Sequence, residues 1–268
     1  MRSALRSAAA LAAAATLLAA APAAAQDERG WTVSIGAGAR VSPKYPGADA
    51  LGFSPMPLID LRPRGSPLEF EAPDEGWGFG LLGRDSVVNL GPSVGFVNKR
   101  EQDDVGAPVG DVGFTVEAGG FVHVFPVRNF RLRAEARRGI GGHDGWVGDL
   151  AADLVIRDRD NYVFSIGPRA RWADGAWHDA YFGVTPAAAA ASGLPAYDPG
   201  AGFHSLGAVA GLTYMLSADW GVYGYAGYDR LIGGAADSPI VRAFGSRDQY
   251  SAGIGLFYEF DGGNLFGR

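Results

Sequence analysis

Cysteine is absent from all 268 residues. That excludes disulfides, zinc–thiolate centres and a lipid-anchored N-terminus, because a lipoprotein carries its acyl chains on a cysteine. Histidine is scarce, with four residues that show no ligand spacing and give no zinc signature. Beyond residue 25 no stretch approaches the ~18 consecutive apolar residues of a membrane-crossing helix, which excludes a helical membrane protein. Positive charge is short as well. Beyond residue 25 there are 21 Lys and Arg against 29 Asp and Glu, a balance of −8 that excludes a basic nucleic-acid-binding face. Gly141-Gly142 and Gly233-Gly234 lack the context of a phosphate loop.

What is present begins with a self-contained start. Arg2 and Arg6 precede an apolar stretch from Ala8 to Ala21, and Pro22 leads into Ala23-Ala24-Ala25. Basic, apolar and small residues in that order predict a secretory signal cleaved after Ala25, with an apolar run too short to span a bilayer. Residues 26–268 then form a single domain of 243 residues. That length suits one all-β unit.

The dominant pattern of that domain is a period of two. Trp31, Val33, Ile35, Ala37, Ala39 and Val41 alternate with Thr32, Ser34, Gly36, Gly38 and Arg40. Phe130, Leu132, Ala134 and Ala136 alternate with Arg131, Arg133, Glu135 and Arg137, and Tyr162, Phe164, Ile166 and Pro168 with Asn161, Ser165 and Arg169. One face is apolar and the other small or polar, as a strand between two environments requires. A soluble lipocalin-like barrel or sandwich also alternates. Strands of about 11–15 residues favour a membrane wall, since soluble strands are mostly ~5–6 long and transmembrane ones ~9–11 or more. Trp31, Trp146, Trp172, Trp220 and Tyr258 lie near strand ends, where an aromatic girdle belongs.

Connection lengths alternate too. Short ones fall at 63–66, 83–85, 127–128, 158–160 and 217–219, and long ones at 42–50, 99–111, 173–201 and 232–249. Tight turns belong on the periplasmic side and long loops outside. The expected fold is therefore an all-β, transmembrane, antiparallel up-and-down barrel of twelve strands with both termini in the periplasm. The weakest spans are 68–72, 77–82 and 220–231, and ten strands is the alternative count. In the loop 173–201, Thr185-Pro186 followed by five alanines predicts a short capped helix that Gly193 and Pro195 stop.

These residues, taken in order, resemble the MltA-interacting protein family, also called the MipA/OmpV family. The similar segments are Tyr45-Pro46-Gly47 in the first long loop, Pro55-x-Pro57 in the next strand, and Tyr181-Phe182-Gly183 with Ser192-Gly193 and Tyr197. Ser238-Pro239 and the closing Tyr258-Glu259-Phe260 complete the series. The resemblance implies an outer-membrane location and, as partners, a lytic murein transglycosylase and a penicillin-binding protein joined on a scaffold. Other members resembling the chain are described as porin-like or as adhesins. One departure stands out: the chain continues past Phe260 with a short tail, 261–268, expected in the periplasm.

Catalytic candidates are few. His143-Asp144 and His178-Asp179 fall in external loops, where an Asp–His pair could activate water or simply stay solvated. His204-Ser205 are strand neighbours and point to opposite faces, which separates a nucleophile from its base. Asp103 and Asp104 read as a solvated acidic loop rather than a calcium site. No catalytic, cofactor or metal residue is assigned. The lumen carries charge instead: Arg131, Arg133, Arg137, Arg169 and Arg171 face inward with Glu117, Glu135, Asp149 and Asp153, beside Arg40, Arg62, Arg157, Asp60 and Glu259. Mixed charges either pair across strands and fill a barrel or line a narrow polar pore. The resulting expectation is a non-enzymatic outer-membrane barrel in contact with lipid, serving as an envelope scaffold, with a small-solute channel and a surface adhesin as alternatives.

Overall fold

The structure is a computed structural model that describes residues 30–263 apart from 69, 84, 85, 159 and 160. The expected signal peptide with its cleavage at Ala25, and the end of the expected tail, lie outside the described residues.

Strands form where the alternation places them. In chain order they are β1 (Trp31–Pro43), β2 (Leu51–Pro55), β3 (Leu58–Pro63), β4 (Trp77–Gly78), β5 (Val88–Val97), β6 (Thr115–Val127), β7 (Phe130–Ile140), β8 (Trp146–Asp158), β9 (Tyr162–Ala173), β10 (Gly202–Met215), β11 (Trp220–Leu231) and β12 (Asp248–Gly263). They make one twelve-stranded antiparallel sheet in which chain neighbours pair from β4 to β12, and β12 pairs back onto β1. Trp31 lies opposite Gly263, so the sheet begins and ends at the same rim. Strand β12 thus takes in the first three residues of the expected tail.

Facing follows the predicted parity. Ile35, Phe53, Leu132, Leu150, Leu154, Ile166, Leu206 and Ile254 are exposed on the outside. Ser34, Ser93, Glu117, Arg131, Glu135, Asp153 and Arg169 are buried on the inside. A sheet that shows its apolar rows outward and buries its charges is stable only in an apolar solvent, which is the environment of a membrane barrel. In β11, whose pattern is ambiguous, Tyr223 and Gly227 face inward and so does Asp229.

The sheet has a seam. Strands β2 and β3 keep one register against β1, from Val41↔Phe53 through Gly36↔Leu58, and the Met56 amide donates to the Gly38 carbonyl at 2.9 Å between them. They are two halves of one span, so the twelve strands make eleven spans of the wall. With Met56 turned toward β1, the odd-numbered residues direct their backbone nitrogens to the opposite edge, and Pro55, Pro57 and Pro63 are odd-numbered. No strand pairs with that edge among the described residues. Proline has no N–H to leave unsatisfied there, which is why an unpaired edge tolerates it. Across the seam, β4 runs down β5 from Trp77↔Val94, and Leu81 still donates to the Leu90 carbonyl at 2.8 Å.

The chain between the two edges climbs through the lumen instead of the wall. Residues 68–72, expected as a strand, are not one. Leu68 packs with Val155 and Val163, and the Phe70 ring lies 4.4 Å beneath the Arg131 guanidinium. A turn closes with Glu75 N–H donating to the Ala72 carbonyl. Gly76 then slips past the wall where a Cβ would fall 2.3 Å from Ser93 Oγ and 2.6 Å from Glu135 Oε1, so only glycine fits.

Five short helices decorate the rim of the long loops: α1 (Gln102–Val105), α2 (Gly175–Phe182), α3 (Pro186–Ser192), α4 (Gly233–Asp237) and α5 (Pro239–Phe244). Helix α3 is the one the sequence predicts. Thr185 Oγ1 accepts from the Ala188 amide, Pro186 opens the helix, and Gly193 closes it at φ 76°.

Candidate functional site

Two assemblies occupy the barrel, a charged one in the lumen and an apolar one at the outer rim. The lumen assembly is built on β7 and β9, whose inward rows are arginine-rich. Arg131 reaches Asp153 at 2.7 Å and also binds Glu75. Arg133 pairs with Glu135 at 2.6 Å and Glu75 at 3.4 Å, and its guanidinium stacks 3.8 Å over the Phe121 ring. Arg137 bridges Glu117 at 2.9 Å and Asp149 at 3.2 Å, and it touches Glu135. From β9, two strands along the same wall, Arg169 holds Asp74 and Asp153, both at 2.9 Å. Arg171 holds Asp74 at 2.9 Å, Asp149 at 3.2 Å and Asp229 at 3.4 Å.

Nine of the fourteen sequence-predicted lumen charges therefore meet in one network, while Arg62 pairs with Asp60 and Glu259 apart from it and Arg40 bonds Ser54. Asp74 and Glu75 were missed, and from the inserted segment they tie β9 to β7 over the intervening β8. The signal for them lay in the imbalance of the inward rows, where eight arginines face six acids. Two carboxylates were wanting, and the inserted segment carries two. The space left between Asp74, Glu75, Arg133, Asp149, Arg169 and Arg171 is about 10 Å³. That is on the order of one water molecule. The arrangement satisfies buried charges by pairing each with several partners, and it packs the inserted segment against β7, β8 and β9.

At the rim the long loops fold into a cap. Helix α2, unpredicted, starts at Asp174, whose side chain accepts from the Trp177 amide at 3.0 Å, and it buries Trp177, His178, Tyr181 and Phe182. Trp177, Tyr181 and Phe182 pack with Leu231, Ala235 and Val241 into one core, and Tyr45, Ala48, Val184 and Ile240 form a second beside it. Most family-motif residues converge here. The Gly47 amide donates to Gln249 Oε1 at 2.9 Å, and a Cβ there would press on Val241 and Phe182. Ser238 Oγ donates to the Phe182 carbonyl at 2.7 Å and starts α5, with Pro239 as its first residue. Tyr197 Oη donates to the Gly234 carbonyl at 2.9 Å, and Ser192 Oγ to that of Ala188 at 2.6 Å. Pro46, Gly183 and Gly193 shape the same loops. Pro55 and Pro57 do not join them and sit on the seam edge instead.

Arg100, also missed, lies at the centre of the cap. It is 2% exposed, donates to the carbonyls of Tyr181 and Gly110, and sits 5.9 Å from the ring centroids of both Tyr45 and Tyr181. Burial holds its pKa below the ordinary arginine value. Burial also pushes the Tyr181 hydroxyl up to about 12.

The catalytic candidates separate. His143 is buried, not solvated, and bonds Glu117 at 3.1 Å, while Asp144 accepts from the Gly141 amide. His178 is buried too, with Nδ1 on the Asp174 carbonyl at 2.9 Å. His204 stacks on Trp177 at 4.4 Å, and neither its Nδ1 nor Ser205 Oγ finds a partner among the described residues. Asp104, far from being purely solvated, holds Lys44 at 3.2 Å and so ties two loops.

Among solved structures the chain is similar to the COG4313 outer membrane channel from Pseudomonas putida F1, with 10% identity, 90% of this chain and 99% of that one covered, and a TM-score of 0.43. It is also similar to the NanC porin (9% identity, 85% and 98% covered, TM-score 0.37) and to the outer membrane channel DcaP of Acinetobacter baumannii (9% identity, 86% and 96% covered, TM-score 0.37). No curated protein matches the chain. The model of one family, MltA-interacting protein MipA, matches residues 35–260, from within β1 to within β12. With its outward apolar wall and a match over nearly all of that wall, the chain is an outer-membrane β-barrel belonging to the MltA-interacting protein MipA family.

Proposed function

We propose that the barrel is a non-conducting, non-enzymatic scaffold of the cell envelope that holds a lytic murein transglycosylase, and through it a penicillin-binding protein, at the outer membrane. The observation that carries this reading is the segment inserted in the lumen: Asp74 and Glu75 lock it to arginines of β7 and β9, and the space left among these charges holds about one water. A barrel closed at mid-height and capped at its rim acts through its surfaces. The family name, MltA-interacting protein, points the same way. Murein enzymes work in the periplasm, where only the short turns and the chain ends are offered. Those turns carry charge at Arg128, Arg157 and Asp158, which suits a modest, salt-sensitive contact.

The test combines current and capture. In planar bilayers the pure barrel carries no steady open-channel current. In pull-downs from solubilised membranes, a transglycosylase stays bound when the loops 173–201 and 232–249 are shortened, and is lost when the turns at 127–128 and 158–160 are neutralised. Loss with the loops and retention with the turns rejects the scaffold and favours an adhesin. A large steady current favours the second reading, a small-solute channel. That reading has its own support, since the segment filling the lumen is held by ion pairs rather than by the wall's ladder.

A further inference from the structure

Every other arginine of β7 is accounted for by the lumen, but Arg138 is not. Its parity puts it outside, in the row of Leu132, Ala134, Ala136 and Ile140, and it is exposed. It forms no ion pair or hydrogen bond among the described residues. Ala118 and the exposed Trp146 flank it in register, so it stands at the girdle level toward the long-loop rim. A lipid-facing cation costs little at that depth and far more at mid-membrane. It is nevertheless a charge held where only lipid can answer it.

Below Arg138 the wall recedes. The next outward row is Gly120, Ala136 and Gly148, with no side chain larger than a methyl until Trp172, whose ring lies beside Gly148. The row after it alternates large and small, with Val122, Ala134, Leu150, Ala170 and Leu206 side by side. These residues and Leu132 line a shallow apolar concavity of about 540 Å³ on the outer face. Ala134 is four residues from Arg138, roughly 14 Å along the strand. A cation above and an apolar trough beneath, on the half of the wall nearest the long loops, match a headgroup and a tail.

We infer that this face is a specific site for a phosphate-bearing lipid of the outer leaflet, its phosphate on Arg138 and one acyl chain in the concavity between Val122 and Leu206. The site is independent of the scaffold reading and uses none of its surfaces. A charge-assisted bond to phosphate supplies the selectivity, and filling of the trough supplies apolar contact.

The experiment is native mass spectrometry of the intact barrel in detergent, titrated with bisphosphorylated lipid A, with the same lipid A stripped of phosphate, and with inorganic phosphate. Heat-modifiable gel mobility verifies that each variant is assembled. The wild type binds one bisphosphorylated lipid A, and Arg138→Gln weakens it about tenfold. Stripped lipid A binds wild type and Arg138→Gln alike. Ala134→Phe fills the trough and weakens both lipids, and Ala170→Leu serves if that variant fails to assemble. Equal binding of lipid A by wild type, Arg138→Gln and the trough variants overturns the proposal. Competition by inorganic phosphate overturns it as well, by showing a free-anion site. So does a dimer that Ala134→Phe dissolves while lipid binding persists, because a second copy would then be the occupant.

Discussion

At mid-height the lumen holds a network of five arginines and the acids that bind them, whereas at the rim Trp177, Tyr181, Phe182, Leu231 and Val241 make an apolar core. The two regions lie in one cylinder but respond to damage differently. In the lumen each arginine touches two or three acids, so losing one carboxylate leaves its partners still paired. In the cap a deleted ring leaves a hole that no neighbour can fill. Charge gives the lumen redundancy, and apolar packing gives the cap rigidity.

Breaking the cap should cost the most. Phe182→Ala removes a fully buried ring, and ~3–5 kcal/mol of stability should go with it. Denaturant unfolding in detergent measures the loss, and the bilayer current should stay at zero because the lumen is untouched. Alkali reaches the same region next. The folded pKa of Tyr181, about 12, lies above the ordinary value of 10.0, so its contribution is complete below pH 10 and is lost as pH rises toward 12. Two pKa units correspond to roughly 2–3 kcal/mol. Melting curves between pH 9 and 12 should fall for the wild type and fall less for Tyr181→Phe.

Lumen variants should reverse the signature, with a smaller loss of stability and a gain of current. Replacing Asp74→Asn with Glu75→Gln leaves Arg169 on Asp153 and Arg171 on Asp149 and Asp229, so the cost should be about 1–3 kcal/mol. Conductance should rise as the segment loosens, and an unchanged trace would mean that something other than these ions fills the bore. Smallest of all, Lys44→Gln cuts an exposed tie between two loops and should change stability by ~0–1 kcal/mol.

The wall was legible and its contents were not. Period-two alternation gave the facing of β1, β5, β7, β9 and β12, because one residue of slip would move a whole apolar row. Alternation says which face a side chain takes, not what covers it. Leu68, Phe70 and Ala72 alternate as a wall strand does, yet they pack inside, since the arginines of β7 and β9 need the acids that follow at 74 and 75. Ser165 takes the inward face its alternation gives, but only the fold shows that it is 3% exposed, with its Oγ and the inserted Pro73 both close against Gly211. The loop histidines mislead for the same reason, because a long loop folded over a barrel mouth has an interior of its own. The motif residues from Tyr45 to Ser238 gave the family by their order. Their common destination, the contacts around Phe182 and Arg100, is set by pairs far apart in the chain and leaves no local trace.

The proline edge of residues 51–63 bears on how the chain reaches this state. Pairing β1 with β12 joins residues 31 and 263, the most distant ladder in the sequence. Loop-closure entropy makes such non-local contacts the slowest to form. Until they form, the nascent sheet has two raw margins. One, along β1, must wait for the last strand. The other, at Pro55, Pro57 and Pro63, lacks the amides that would let a passing strand zip on. The waiting margin is thereby the productive template, and premature closure at the second strand is a kinetic trap that the backbone itself denies.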